Sequence, residues 1–181
     1  LKLSNFLISQ KNLKKKKNNN FFLISDLYCW DKILENFNFP IEKGLIDLIK
    51  FTINFCIKNN LKMKFAARSK FNNFSKENEF YKKYLNEYEY KFLKKNIFYR
   101  SKNYKTYKIM QRSKVVIGTM STMLRENLSL NGKTFACNFT KTDIFDFPIK
   151  GICFTKKSNY QDFKKKLKKI LSLTIKAYYN K

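Results

Sequence analysis

Residues 118–126 place a glycine, several hydroxyl groups and a carboxylate close together along the chain. In order, these residues are Gly118, Thr119, Ser121, Thr122 and Glu126. Ser121 or Thr122 can cap a helix, whose first N–H groups then face an anion such as a phosphate. Glu126 would lie one turn inside this helix, ~6 Å along its axis from Thr122. Its carboxylate can accept two hydroxyl groups of a ribose or sugar. The spacing therefore predicts a site for a phosphate-bearing sugar.

Two further loops offer polar side chains that could reach the same ligand. Ser25 ends an apolar run, and Arg68 to Lys70 follow another. Arg68 can hold a phosphate by charge-assisted hydrogen bonds. Simpler interpretations stay open, in which the hydroxyls are helix caps only, the arginine forms a surface ion pair and the glutamate pairs with a lysine. There is no GxGxxG or GxxxxGK[ST] motif, so neither a dinucleotide site of the NAD type nor a Walker-type site is expected.

The elements around residue 118 are predicted to form a strand, a helix and a second strand. The β-branched run at residues 115–117 is typical of a strand buried on both faces, and Gly118 allows a turn after it. A helix of roughly ten residues is expected from residue 121, since Asn131 and Gly132 are a helix stop signal. Residues 133–138 then form the next strand. This βαβ unit places a helix N-terminus at the carboxyl end of a parallel sheet, where anions bind.

The rest of the chain alternates in the same way. Further strands are predicted at residues 21–25, 61–67, 97–99 and 152–154, and further helices at 31–37, 41–59, 77–93, 104–111 and 159–173. The pattern predicts an α/β, Rossmann-like, doubly wound and mostly parallel sheet of about five strands with helices on both faces. Residues 1–20 are expected to be a basic, mobile connector and residues 21–181 a single domain. The lysine run at 14–17 is interpreted as a solvated linker, with a membrane-surface tether as the alternative.

The chain is strongly basic, with 39 Lys and Arg against 13 Asp and Glu and a net charge of +26. Such a charge is typical of proteins that bind nucleic acid or an anionic membrane. Only four of these cations are arginines, and the joint excess of Lys, Asn, Phe, Ile and Tyr is what an AT-rich coding sequence would give. We therefore favour compositional drift, with a polyanion or lipid contact as the alternative.

The reactive side chains exclude several classes of site. There is no histidine, and Cys29, Cys56, Cys137 and Cys153 have no CxxC spacing. No zinc or other metal site, no cofactor and no histidine-dependent triad is therefore expected. The apolar surroundings of the cysteines predict reduced core thiols in a cytoplasmic protein. No apolar run reaches the ~20 residues of a membrane span.

The segment around residue 118 resembles the donor-binding, carboxyl-terminal half of GT-B glycosyltransferases of bacterial surface carbohydrate and capsule biosynthesis. That group carries a pattern like S-x-V-V-I-G-x-x-S-T-x-x-x-E-x-x-x-x-G-K-x-x-x-x-N. Here the pattern is matched by Ser113, Val115, Val116, Ile117, Gly118, Ser121, Thr122, Glu126, Gly132, Lys133 and Asn138, with one extra residue before Gly132. The segments LKMKFAARS and ENEFYKKYL, and the closing ICFTKKSNYQDFKKKLKKIL, are similar to other parts of the group. The likeness covers residues 20–173.

The resemblance implies a domain that binds a nucleotide sugar as substrate. Ser121, Thr122 and Arg68 would contact phosphate and Glu126 the ribose. The glycan acceptor and the catalytic base would come from a separate amino-terminal half, so the chain is not expected to catalyse alone. Peripheral contact with the inner membrane face is a further expectation. The alternatives are a non-catalytic Rossmann-like domain that binds a partner and a basic nucleic-acid-binding protein.

Overall fold

The computed structural model describes residues 20–24, 41–68, 74–99 and 105–181. The strands are β1 (Asn20–Ile24), β2 (Lys62–Ala66), β3 (Ile97–Phe98), β4 (Val115–Gly118), β5 (Thr134–Cys137) and β6 (Phe154–Thr155). The helices are α1 (Ile41–Lys58), α2 (Phe74–Tyr84), α3 (Glu87–Asn96), α4 (Lys105–Arg112), α5 (Thr122–Ser129), α6 (Tyr160–Ser172) and α7 (Ile175–Tyr179). All strands pair in parallel in one sheet, in the order β3-β2-β1-β4-β5-β6. The predicted α/β, Rossmann-like class is confirmed, with six strands instead of about five.

The central strands are apolar because the sheet is covered on both faces. Leu23 of β1 is level with Phe65 of β2 and Ile117 of β4, and Ile117 is level with Phe135 of β5. All four side chains are fully buried. This row fixes the register of the middle of the sheet, since a slip by one residue would turn these side chains to the opposite face.

Helices pack on both faces of the sheet. The ring of Phe163 in α6 lies 5.8 Å from that of Phe51 in α1 and 5.4 Å from that of Phe135 in β5, so α1 and α6 share one face. Thr134 precedes Phe135 and points to the opposite face, where its hydroxyl donates to the carbonyl of Leu124 in α5 at 3.1 Å. The chain therefore has α1 and α6 on one face of the sheet and α5 on the other.

The conformation of the chain at the end of α5 explains the consecutive Asn131 and Gly132. Asn131 takes the left-handed conformation, with φ 58°. Gly132 leaves room for Asn127, since a Cβ there would lie 2.1 Å from the Asn127 Oδ1. The Asn127 amide in turn donates to the Lys133 carbonyl at 2.9 Å and to the Thr134 hydroxyl at 3.0 Å. The predicted helix stop is confirmed, and it joins α5 directly to β5.

The helix predicted at residues 77–93 is wrong in its extent, because it is two helices. Asn86 begins a new helix by a capping box: its side chain accepts from the Glu89 N–H at 2.8 Å, and the Glu89 carboxylate accepts from the Asn86 N–H at 3.1 Å. This break rotates α3 relative to α2, so Tyr88 is 65% exposed instead of lying on the same side as Phe80 and Tyr84. A short polar side chain thus overrides the apolar periodicity.

The strand predicted at residues 152–154 is shifted. Gly151, with φ 90°, opens a 3₁₀ turn (Gly151–Cys153), and the strand begins only at Phe154. A second 3₁₀ turn (Asp143–Phe145) lies in the loop after β5, and α7 was not predicted. The connector at residues 1–20, apart from Asn20 in β1, and the helix predicted at 31–37 lie outside the described residues. No helix in the described part of the chain is long and apolar enough to cross a membrane.

Candidate functional site

The strand order changes direction between β1 and β4. From β1 the chain winds through α1 to β2 on one side, and from β4 it winds through α5 to β5 on the other. Ligands of open α/β sheets bind at such a switch point, beyond the carboxyl ends of the two strands, and we call this place the crevice. The β4–α5 turn, which carries most of the candidate residues, lies at this crevice.

The β4–α5 turn is closed by Ser121. Its hydroxyl accepts the Met123 N–H at 3.3 Å, and its carbonyl accepts the Leu124 N–H at 3.0 Å. Thr119 is 2% exposed, whereas Thr122 is exposed. Ser121 therefore acts as the helix cap, and the start of α5 points toward the switch-point crevice.

Glu126 is an acidic residue in the second turn of α5, and one of its two carboxylate oxygens lacks a hydrogen-bond partner among the described residues. Its Oε2 atom is buried and has no hydrogen-bond partner within the described residues. A buried acceptor without a donor costs free energy, about 1–3 kcal/mol. Two other described side-chain atoms share this state, on Gln111 of α4 and Tyr160 of α6. Glu126 is the only one of the three that lies on α5, the helix that starts at the crevice.

Arg68 is fixed at the carboxyl end of β2 by a buried carboxylate. Its backbone N–H donates to the Glu77 Oε1 at 3.1 Å, and Glu77, in the first turn of α2, is fully buried. The same oxygen accepts the Tyr81 hydroxyl at 2.6 Å. The Arg68 side chain is exposed. Since only β1 separates β2 from β4, the two strand ends are about 10 Å apart.

Asn138 organises the loop after β5. Its amide donates to the Thr142 carbonyl and to the Asp146 Oδ1, each at 2.7 Å. Its carbonyl oxygen accepts the Thr140 N–H at 3.1 Å and the Thr140 hydroxyl at 2.6 Å. The side-chain amide is thus fully used within the loop. These bonds show that Asn138 holds the loop together, and its contact with a ligand stays a prediction.

Asp146 ties the same loop to two lysines. Its Oδ2 lies 2.9 Å from the Lys150 Nζ and 3.1 Å from the Lys156 Nζ. Desolvation raises the pKa of this carboxyl, but hydrogen bonds from Lys150, Asn138 and Lys156 outweigh it and hold the pKa below its ordinary value. The loop at this rim of the crevice is therefore ordered by side-chain bonds.

The fold brings the candidate residues of β2 and β4 to the same edge of the sheet. Arg68 comes just after β2, Gly118 ends β4, and Glu126 lies on the helix that begins beside them. Ser25 and Lys70 lie outside the described residues. The sequence did not single out Glu77 as a functional residue. Its spacing of four from Tyr81, which puts both on one helical side, was the available signal.

Comparison with known proteins identifies the family of this chain. A protein-family model described as "putative O-antigen biosynthesis protein" matches residues 2–176. No curated protein and no solved structure gives a significant match. Because the match spans nearly the whole chain, this Rossmann-like protein belongs to that family of O-antigen biosynthesis proteins.

Proposed function

We propose that the chain is the nucleotide-sugar-binding half of a glycosyltransferase-like protein, with the crevice between β1 and β4 as its donor site. The observation that carries the proposal is the buried Glu126 Oε2, which has no partner within the described residues. A ribose or sugar offers the hydroxyl donors that this atom lacks. The family membership supports a role in assembling a surface polysaccharide.

The diphosphate of the donor would lie over the start of α5. Ser121 already accepts the Met123 and Leu124 N–H groups, so the attraction for negative charge would come from the Thr122 N–H and the positive end of the helix dipole. The exposed Thr122 offers a further hydroxyl, and Arg68 a cation from the neighbouring loop. Ser25, Thr119 and Lys70 are further candidates for this contact.

In the transfer itself, an acceptor hydroxyl attacks the anomeric carbon and the bond from that carbon to the diphosphate breaks. The leaving diphosphate takes the electron pair, so negative charge grows where the helix N-terminus and Arg68 are placed. Stabilising that charge and positioning the donor are the contributions we assign to this half. The acceptor and the group that removes its proton would belong to a separate domain.

A thermal-shift titration with a panel of nucleoside diphosphate sugars tests the proposal. A bound donor stabilises the fold by RT ln(1 + [L]/Kd), about 2.7 kcal/mol at a hundred times Kd. Glu126→Ala and Ser121→Tyr should abolish the shift. Glu79→Ala, which removes an exposed carboxylate in the second turn of α2, should leave it unchanged.

Two outcomes would contradict the proposal. If no nucleotide sugar shifts the melting temperature, the alternative of a non-catalytic domain that binds a partner is favoured. If Glu126→Ala and Glu79→Ala behave alike, donor binding does not use the unsatisfied carboxylate.

A further inference from the structure

The described part of the chain has ten acidic residues. Eight are in the first two turns of helices, and two are in the loop after β5. They are Glu42, Asp47, Glu77, Glu79, Glu87, Glu89, Glu126 and Asp162, with Asp143 and Asp146 in the loop. The starts of α1, α2 and α5 and the loop after β5 lie at the end to which the carboxyl ends of the strands point. Glu89 does not lie there, because its carboxylate accepts from the Asn54 amide, near the end of α1, at 3.4 Å.

The opposite end, where the strands begin and the long helices finish, carries exposed cations. We call this the amino-edge surface, and it comprises Lys62, Lys94, Lys95, Arg112, Lys114, Lys168, Lys169, Lys176 and Lys181. Two contacts place α6 and α7 there. The Lys133 Nζ, just before β5, donates to the Ile170 carbonyl near the end of α6 at 2.8 Å, and the Tyr178 hydroxyl of α7 donates to the Thr134 carbonyl at 2.6 Å.

None of these nine cations forms an ion pair with a described carboxylate. The ion pairs in the described part of the chain use other lysines, namely Lys91, Lys150, Lys156 and Lys157. Helix dipoles favour acids at helix starts and bases at helix ends, which accounts for the lysines near the ends of α3 and α6. The acids nearest to this edge do not offset its charge: Glu89 is buried against Asn54 of α1, and Glu87 is paired with Lys91.

We propose that the amino-edge surface binds the anionic headgroups of a lipid membrane. Six strands at their usual spacing make this edge about 24 Å wide, more than twice the ~10 Å over which salt screens a charge. A surface of that breadth fits an extended anion better than a single small one. Eight of its nine cations are lysines, and lysine serves a lipid surface as well as arginine does.

Nucleic acid fits the same surface less well. Base and phosphate recognition favours arginine, and single strands need aromatic rings on which bases stack. Arg112 is the one arginine of the amino-edge surface as defined above. Tyr179 of α7 is exposed, but its hydroxyl is held by the Leu128 carbonyl at 2.6 Å and the Gly132 carbonyl at 3.1 Å.

Membrane contact at this edge fixes the orientation of the molecule. The crevice at the other end of the strands would face away from the lipid, at about the length of α1, ~27 Å for its eighteen residues. A soluble donor could then enter freely. This inference does not depend on the donor-binding proposal, because the two use different residues and different readouts.

Two variants of equal charge test the inference by sedimentation with phosphatidylglycerol vesicles and with phosphatidylcholine vesicles. The first changes Lys94, Lys95, Lys168 and Lys169 to Gln, all in the amino-edge surface. The control changes Lys43, Lys105, Lys108 and Lys165 to Gln, all exposed and all in the first two turns of their helices. Circular dichroism checks that both variants fold.

Each lysine at an anionic surface contributes about five-fold to the partition coefficient at low salt. We expect the amino-edge variant to lose binding to phosphatidylglycerol several hundred-fold, the control to lose far less, and neither to bind phosphatidylcholine. Equal losses in the two variants would overturn the oriented surface. Binding of duplex DNA or RNA, but not of anionic vesicles, by the unchanged protein would overturn the choice of partner.

Discussion

Replacing Glu126 by Met should make the ligand-free protein more stable. The Glu126 Oε2 is buried without a donor among the described residues, so the folded state bears a desolvation cost that the unfolded chain does not. Methionine has nearly the same length, the same helix propensity and a flexible apolar side chain that can fill the same space. The substitution removes the unsatisfied atom without opening a cavity.

The expected gain follows from the cost of one unsatisfied buried polar atom, about 1–3 kcal/mol in the free energy of unfolding. In a domain of this size each kcal/mol raises the melting temperature by about 2–4 °C. Urea denaturation followed by circular dichroism measures the gain. The midpoint should rise with no change in the slope, because the surface exposed on unfolding stays the same.

Glu79→Met is the matched control, since Glu79 is exposed in the second turn of α2 and its replacement should change stability by less than about 0.5 kcal/mol. The same Glu126→Met protein should show no thermal shift with any nucleotide sugar. A Glu126→Met protein less stable than the unchanged chain would refute the reasoning, because it would show that the carboxylate stabilises the fold by itself. Glu126 would then be a structural residue.

Three further predictions concern the surroundings of the crevice. Gly44→Ala should destabilise the protein by about 1–3 kcal/mol in urea denaturation, although alanine has the better helix propensity. The new Cβ would lie 2.7 Å from backbone atoms just after β5. The control Lys43→Ala, at the neighbouring position, should be nearly neutral. Asp146→Asn should reduce stability at neutral pH and have little effect below the folded-state pKa, because a carboxyl with a lowered pKa stabilises the fold only while it is ionised. Burial raises the pKa of Cys56 to about 12 and that of Cys137 well above its ordinary value. At pH 8 a disulfide reagent should therefore modify these two thiols only as fast as the protein unfolds.

The βαβ unit around residue 118 could be predicted almost residue by residue because its local signals agree. The β-branched run, the Ser121 cap and the Asn131–Gly132 stop all indicate the same boundaries, and the structure has β4, α5 and β5 within two residues of them. The predicted burial of the Cys56, Cys137 and Cys153 thiols is also confirmed. Each thiol lies in an apolar stretch of sequence, and apolar stretches form the core.

The remaining features depend on contacts between distant residues. The sequence did not indicate that Asn86 would cap a new helix, because its partner Glu89 also fits the interior of one long helix. Gly44 gave no sign of its close approach to the chain after β5, which is set by the packing of α1. The fully bonded Asn138 likewise depends on Thr140 and Asp146, whose positions only the folded loop defines.

The all-parallel sheet explains why the Ser121 cap and the lysines of the amino-edge surface lie at opposite ends of this molecule. Helices α1 and α5 each begin at the carboxyl edge and finish at the amino edge. Between β2 and β3 two helices share the return, since the Tyr84 hydroxyl at the end of α2 donates to Glu42 at the start of α1, and Glu89 at the start of α3 contacts Asn54 near the end of α1. Caps and carboxylates favour helix starts, and lysines favour helix ends, so a basic composition concentrates its uncompensated charge at the amino edge. Compositional drift toward lysine would therefore not distribute charge evenly over this fold. It would build a basic surface facing away from the crevice, where selection could retain it for membrane contact without disturbing the donor site proposed about 27 Å away.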